Sequence, residues 1–197
     1  MGLCVYGGAS FLDHEDAVEK LRGVLKPVED ADAGAAVAIL LKREGRGLQV
    51  LLVKRATNPS DPWSGHMAFP GGRRRSEDRD LCETVIRETR EETGIELRGC
   101  RFLGTLSVTT SSVAPELGVL PFVVLCNETP QITLNEELCS HFWVSLEHLR
   151  RSRGSALIQG VEVPAFLVNG EVVWGLTYRM LENLLGLLEA AGAPPSG

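Results

Sequence analysis

The order of apolar and polar positions predicts strands through most of the chain and a long helix at its end. Two apolar, β-rich runs, 35–42 and 48–56, flank the segment REGRG, whose glycines suit a tight turn, so this region is expected to form a hairpin. The final run, 176–191, repeats leucine at helical spacing and predicts an amphipathic helix. Further strand candidates are 100–110, 117–126, 141–146, 162–168 and 171–175.

Two more helices are expected, one before the hairpin and one after it. The first covers 14–25, and the second covers about 80–93 and carries signals at both ends. Asp80 can accept hydrogen bonds from the first-turn amides while Glu83 reaches back, and Gly94 stops the helix. Because strands lie before and behind this central helix, we expect an α/β fold with a mixed sheet that is covered on both faces.

Length and composition indicate one main globular unit. With 197 residues, of which 44% are hydrophobic, the chain can bury one sizeable core. We predict a peripheral N-terminal helix and linker over 1–34, the main domain over 35–191, and a flexible tail over 192–197.

Charge and cysteine content narrow the range of partners. A net charge of −6 argues against a nucleic-acid binder, because many phosphates can be neutralised only by a basic surface. The apolar runs are shorter than the ~20 residues that span a bilayer, and the first residues lack the basic start of a secretory signal, so no membrane role is expected. The five cysteines contain no C-x-x-C pair and are expected to be reduced thiols in a cytoplasmic protein. A small-molecule partner is therefore favoured.

The central helix carries the strongest chemical signal. From Leu81, the apolar stripe continues to Val85 and then meets Glu88 and Glu92, with Glu91 on the same face. Three carboxylates at this spacing repel one another. If they are partly buried, their charges are unfavourable unless a cation compensates them. Oxygen ligands of this kind favour Mg²⁺ or Mn²⁺. The alternative is a solvated helical face on which neighbouring arginines pair with the glutamates.

The segment RETREETGI resembles the signature of the Nudix hydrolases, G-x5-E-x7-R-E-U-x-E-E-x-G-U, in which U is a bulky aliphatic residue. The first half of the signature departs from this pattern. The interval from Gly72 to Arg87 is one residue longer than usual, and Arg79 stands where a glutamate is expected. Asp78 or Asp80 is a candidate substitute for that glutamate. The residues that match the second half are Arg87, Glu88, Glu91, Glu92, Gly94 and Ile95.

The longer interval, the upstream segment WSGHMAFPGG and the later segment VWGLTYRMLENLL resemble the coenzyme A pyrophosphatase branch of that family, over roughly 35–185. This resemblance implies an α/β/α sandwich with a mixed sheet. It also implies metal-dependent hydrolysis of coenzyme A, or of its derivatives, to phosphopantetheine and adenosine 3′,5′-bisphosphate. The alternatives are another substrate, such as ADP-ribose, NADH or a dinucleotide, and a nucleotide-binding sensor without catalysis.

The resemblance also implies roles for particular residues. Glu88, Glu91, Glu92 and the carbonyl of Gly71 would hold Mg²⁺ or Mn²⁺, and Arg87 would orient the glutamates. Glu91 and Arg87 therefore count as catalytic residues. For the general base, Glu137 is the first choice and Glu136 the second, although an ordinary turn acid is an equal alternative.

Substrate-binding candidates lie close in sequence to this helix. Arg55 and Arg73, with their basic neighbours, could bind a ribose 3′-phosphate, or could simply be solvated charges. His66 could line the pocket or fill a structural position. Trp63, Trp143 and Trp174 could stack on adenine or pack in the core, and the last helix could support a homodimer.

Overall fold

The computed structural model describes residues 14–61, 63–110 and 114–192. The helices are α1 (His14–Val24), α2 (Leu81–Thr93), α3 (Leu146–Arg151) and α4 (Gly175–Gly192), and Leu97–Gly99 forms one turn of 3-10 helix. The strands are β1 (Ala35–Glu44), β2 (Gly47–Arg55), β3 (Met67–Ala68), β4 (Gly71–Arg73), β5 (Arg101–Thr105), β6 (Thr109–Thr110), β7 (Gly118–Leu125), β8 (Leu138–Ser145), β9 (Arg153–Ile158), β10 (Val161–Val168) and β11 (Glu171–Trp174).

The strands of the described ranges form a large mixed sheet and a small antiparallel one. In the large sheet the order is β3-β2-β1-β7-β5, and β4, β6 and β8 pair with β1, β7 and β2. Strands β1 and β7 are parallel, whereas β1 and β2 form the expected antiparallel hairpin, with Glu44 opposite Gly47 at the turn. The small sheet has the order β11-β10-β9. The prediction of an α/β fold with a mixed sheet is confirmed.

Both faces of the large sheet are covered, which explains why its central strands are almost continuously apolar. Side chains alternate along β1: Ala38 and Leu40 pack on the face that α2 covers, and Ile39 and Leu41 pack on the opposite face with α1 and α4. Successive residues are thus all buried although they point in opposite directions. The result is two helical layers around one sheet, as the predicted α/β/α sandwich requires.

Helix α1, which we described as peripheral, contributes to the same core as α4. Val18 and Leu21 are fully buried there. The domain limits 1–34 and 35–191 stay a prediction. Of the predicted tail, Gly192 is the last residue of α4, and 193–197 lie outside the described residues.

Strand β9 and the short helix α3 were not predicted. In β9 no residue is buried, so the apolar alternation that reveals a half-buried strand is missing. Helix α3 has six residues, which is too short to show a helical period. Both elements are stabilised by their neighbours, since β9 pairs with β10 over its whole length and α3 buries Leu146 and Leu149 in the core.

Candidate active site

Helix α2 begins and ends where the sequence predicts. The side chain of Asp80 accepts a hydrogen bond from the Glu83 backbone N–H at 2.8 Å, and Gly94 adopts a left-handed conformation, φ 72°. The Glu83 carboxylate accepts a hydrogen bond from the backbone N–H of Arg79 at 2.9 Å, one residue before Asp80, whose N–H is the donor in a capping box. These ends fix the register of α2 on the sheet, so Leu81 and Val85 are buried and the acidic turn follows them.

An ion pair between Asp78 and Arg87 joins the loop before α2 to the helix itself. The Arg87 Nε and Nη2 atoms donate to the two Asp78 carboxylate oxygens at 2.9 and 2.7 Å. The Arg75 backbone N–H and the Thr84 hydroxyl also donate to Asp78, at 2.9 and 3.0 Å. These donors, Arg87 first, hold the pKa of Asp78 well below its usual range, and the same pair raises the pKa of Arg87. Asp80, by contrast, is used as the helix cap, so the two aspartates have separate roles.

Arg87 also contacts the acidic face. Its Nη1 atom forms an ion pair with Glu88 and lies 3.3 Å from Oε2 of Glu91. Arg75 binds Glu91 through two hydrogen bonds, of 3.2 and 2.9 Å. The alternative of arginine pairing therefore holds for Arg87, but Arg90 is exposed and has no ion pair within the described ranges.

Glu92 lies in a different environment, at the buried side of the same helix. It is 4% exposed, accepts the Gly71 N–H at 2.9 Å and forms no ion pair within the described part of the chain. Burial raises the pKa of Glu92 to about 7, in part offset by the Gly71 hydrogen bond and the charge of Arg55. The negative charges of Glu88 and Glu137 raise it further. The site thus contains a carboxylate that lacks a positive partner.

Two glycines let the loop approach strand β1 and helix α2 closely. A β-carbon on Gly72 would lie 2.6 Å from Cδ of Glu88, and one on Gly71 would lie 2.3 Å from the Ala36 carbonyl oxygen. Gly71 also has φ 147°, which side chains disfavour. The Gly71 amide, rather than its carbonyl, contacts Glu92. The role of that carbonyl as a metal ligand stays a prediction.

The donor set fits a hard divalent cation, because the three glutamates supply only carboxylate oxygens and Glu92 is buried without a counter-ion. Within the described ranges, however, no three acidic, histidine or cysteine side chains converge as a ready-made metal cage. Glu88 and Glu91 are instead turned towards Arg87 and Arg75.

The segment that carries Glu137 is fastened to the end of α2. Asn135 donates its backbone N–H to the Glu92 carbonyl at 3.0 Å, and the Glu137 carbonyl accepts the Ala56 N–H at 2.8 Å. Glu137 itself is exposed, as is Glu136. This arrangement brings Glu137 near enough for its charge to act on Glu92, and its role as general base stays a prediction.

Arg55, the last residue of β2, is hydrogen-bonded to His66. The Arg55 Nε donates to Asp61 at 2.8 Å, and the Arg55 backbone N–H donates to the His66 carbonyl at 3.0 Å. The His66 ring packs edge-to-face on Trp174, with centroids 4.8 Å apart, and burial lowers its pKa. Arg73 differs, since its carbonyl accepts from Arg87 at 3.3 Å while its side chain is exposed.

The three tryptophans lie in different surroundings. Trp143 packs against the core beside α2, under the Lys42 ammonium at 5.0 Å. Trp63 is half-buried and its backbone N–H donates to Asp61, and Trp174 lies beside His66. The contacts of Trp174 with His66 were missed, because they join elements far apart in sequence and leave no local pattern.

The sequence-family model of the NUDIX domain matches residues 32–160, and the chain therefore belongs to the Nudix hydrolase family. Members are pyrophosphatases that act on small nucleotide substrates and generally use divalent cations such as Mg²⁺ or Mn²⁺. Over 201 residues the chain is 29% identical to the mitochondrial coenzyme A diphosphatase NUDT8 of Mus musculus, covering 96% of this chain and 94% of that protein.

Two further similarities complete the comparison. An uncharacterized protein of Schizosaccharomyces pombe is 41% identical over 107 residues, 51% of this chain, and the chain covers 32% of that relative's length. The NUDIX domain of Shewanella oneidensis NrtR, solved with ADP ribose, superposes with a TM-score of 0.51 at 17% identity over 87% of this chain and 96% of that domain. The latter shows that the fold is shared.

Membrane association and location were also predicted. Within the described residues, no helix combines the length and the apolar composition needed to cross a bilayer. The mouse relative is named as mitochondrial, so the cytoplasmic location stays a prediction.

Proposed function

We propose that the protein is a metal-dependent pyrophosphatase that hydrolyses the diphosphate of coenzyme A, or of its derivatives, to phosphopantetheine and adenosine 3′,5′-bisphosphate. The choice of substrate rests on the similarity to a coenzyme A diphosphatase along almost the whole of both chains. The chemistry is supported by the acidic turn of α2, which continues a buried stripe and meets the glycine loop.

Glu88, Glu91 and Glu92 are the residues that would hold the cation. When bound, Mg²⁺ or Mn²⁺ supplies charge neutralisation at the diphosphate and lowers the pKa of the attacking water. Glu92 provides a buried carboxylate whose position is fixed by the Gly71 N–H. Glu91 is 39% exposed and can turn without disturbing the core.

Arg87 serves as the positioning residue of the acidic face. Because Asp78 holds two of its nitrogens, the third nitrogen is kept next to Glu88 and Glu91. Glu137 is the proposed acceptor of the proton that the attacking water loses. Its segment is tied to the end of α2, and its side chain is exposed.

Substrate recognition is assigned to the end of β2, where the charge of Arg55 acts on Glu92. Arg55 offers a guanidinium for a phosphate oxygen, and charge-assisted bonds of this kind are strong. His66, supported by Trp174, offers a ring nitrogen and an aromatic surface nearby. Arg73 has an exposed side chain on the glycine loop and could bind the 3′-phosphate. A homodimer remains a proposal that a measured molecular mass would test.

The test is a product-resolved hydrolysis assay in Mg²⁺ with coenzyme A, ADP-ribose, NADH and diadenosine polyphosphates in parallel. We expect coenzyme A to be cleaved fastest, with adenosine 3′,5′-bisphosphate as product. A preference for another nucleotide would refute the substrate but keep the chemistry. No turnover in Mg²⁺ or Mn²⁺, together with tight nucleotide binding, would favour the sensor.

Two matched variants test the residues. Glu91→Gln keeps the size of a partly exposed side chain, so loss of turnover with an unchanged melting temperature would report on the site and not on folding. Glu137→Gln is paired with Glu136→Gln, its exposed neighbour. A general base contributes ~10² to 10⁴ in rate, so only Glu137→Gln is expected to lose that factor. Equal effects of both variants would remove Glu137 from this role.

A further inference from the structure

Cys100 and Cys126 face each other at the end of a strand pair that the Nudix chemistry does not use. Arg101 pairs with Leu125 at the end of the β5–β7 ladder, so the next residues, Cys100 and Cys126, also stand opposite each other. Directly opposite residues of antiparallel strands have Cα atoms about 4.5 to 5.5 Å apart, within the range that a disulfide bridges. Their Sγ atoms are 3.8 Å apart, as two free thiols.

The pair opens onto a cavity of about 530 Å³. Its walls are the segments on either side of the pair, 94–100 and 126–131, and both cysteines line it. Cys100 is half-buried, whereas Cys126 is 2% exposed. Cys100 is therefore the thiol that is more accessible to a small solute in this cavity, and Cys126 lies in contact with it on the buried side.

The two thiols also differ in acidity. The hydrogen bond between them lowers the pKa of Cys100, and the same contact together with burial raises the pKa of Cys126. The thiolate is the nucleophile in thiol–disulfide exchange, so the accessible cysteine is the attacking one. The cysteines elsewhere in the described ranges, Cys82 and Cys139, have no second thiol as a partner.

We propose that Cys100 and Cys126 form a reversible dithiol–disulfide site that reacts with low-molecular-weight disulfides. The Cys100 thiolate attacks one sulfur of the disulfide RSSR, and the first RS⁻ leaves. Cys126 then loses its proton and attacks Cys100 Sγ, which breaks the mixed bond and releases the second RS⁻. The protein dithiol is oxidised by two electrons, and RSSR is reduced to two RSH. The segment after Cys126 continues to Glu137, so the bond would anchor its start.

The experiment treats the reduced full chain with oxidised glutathione, alkylates it in denaturant and digests it with trypsin and a glutamate-specific protease. Cleavage gives 99–101 with Cys100 and 117–128 with Cys126, separate from the peptides of the other cysteines. We expect these two peptides to be linked in most molecules, and the link to disappear after dithiothreitol. Alkylated Cys100 and Cys126, a persistent glutathione on Cys100, or a link to another cysteine would each overturn the proposal.

Matched serine variants sharpen the result. Cys126→Ser should stop the reaction at glutathione on Cys100, and Cys100→Ser should leave Cys126 free for alkylation. Cys82→Ser and Cys139→Ser remove free thiols that do not belong to the pair and should retain the linked peptides. If either control lost the link, the pairing would be wrong.

Discussion

Asp78 and Glu92 are two buried carboxylates of one site, and their surroundings act on them in opposite directions. Asp78 is 8% exposed and Glu92 is 4% exposed, so burial alone would raise the pKa of both. The pKa of Asp78 is nevertheless strongly lowered, while the pKa of Glu92 is raised to about 7. The difference comes from the partners, because Asp78 has the Arg87 guanidinium and Glu92 has a single backbone N–H.

The comparison separates a carboxylate that the fold neutralises from one that the fold leaves without a positive partner. A buried charge with a bidentate partner and further hydrogen bonds is neutralised within the fold. A buried carboxylate without a positive partner is destabilising until a cation arrives, and such groups are concentrated at functional sites. Asp78 thus fixes Arg87, and Glu92 is left available for the proposed metal.

The largest effect is expected from removing the partner of Asp78. Arg87→Ala should lower the free energy of unfolding by about 3 kcal/mol or more near pH 7, because it leaves a buried charge unpaired. The lowered pKa of Asp78 gives stability that is present above its ordinary value of 3.8 and is lost as the pH falls below it, so the difference should shrink in acid. Denaturant titrations at several pH values measure this.

Arg90→Ala is the control for that prediction, since Arg90 lies exposed on the same helix. It should change the stability by less than about 0.5 kcal/mol. A similar loss in both variants would mean that helix propensity, and not the ion pair, is responsible.

An intermediate effect of opposite sign is expected for Glu92→Gln. The folded protein keeps the Glu92 proton to about pH 7 while the unfolded chain loses it near 4.5, so the stability of the parent protein falls as the pH rises through this window. The glutamine variant lacks this loss. In EDTA it should match the parent near pH 4 and exceed it by roughly 2 to 3 kcal/mol at pH 8. A variant that is less stable at pH 8 would contradict this interpretation.

The smallest effect is expected for Arg75, which binds the exposed side of the acidic face. Arg75→Gln should tighten Mn²⁺ binding by up to about fivefold, because an exposed ion pair worth at most about 1 kcal/mol no longer competes for Glu91. Arg74→Gln removes the same charge from a side chain that pairs with Asp30, and calorimetric titration compares the two. Equal shifts would attribute the effect to net charge alone.

Local features of the fold and site could be predicted from the sequence because their signals span only a few residues. The limits of α2 depend on Asp80 and Gly94, which act within one turn of themselves. The β1–β2 hairpin depends on its apolar runs and the glycines between them. Strand β9 escaped prediction because it is exposed and is held in place by β10.

The sequence left Asp78 and Asp80 as equal candidates, since both lie close to the missing glutamate of the signature. Which aspartate binds Arg87 and which one caps the helix depends on how the loop after Gly72 folds back over α2. The identity of a single residue carries no information about the path of that loop. The pairing of Arg75 with Glu91 and the packing of His66 on Trp174 could not be predicted for the same reason, since both depend on the path of the folded chain.

Periodicity and capping along the sequence determined the helix that carries the acidic face, and the resemblance of RETREETGI to the Nudix signature indicated the class of protein. Tertiary structure decided which carboxylates are neutralised and which are not. Charge state depends on burial and on partners within a few ångströms, and those partners come from distant parts of the chain. Asp78 and Glu92 are both acidic residues in the sequence, and only folding gives one of them an arginine.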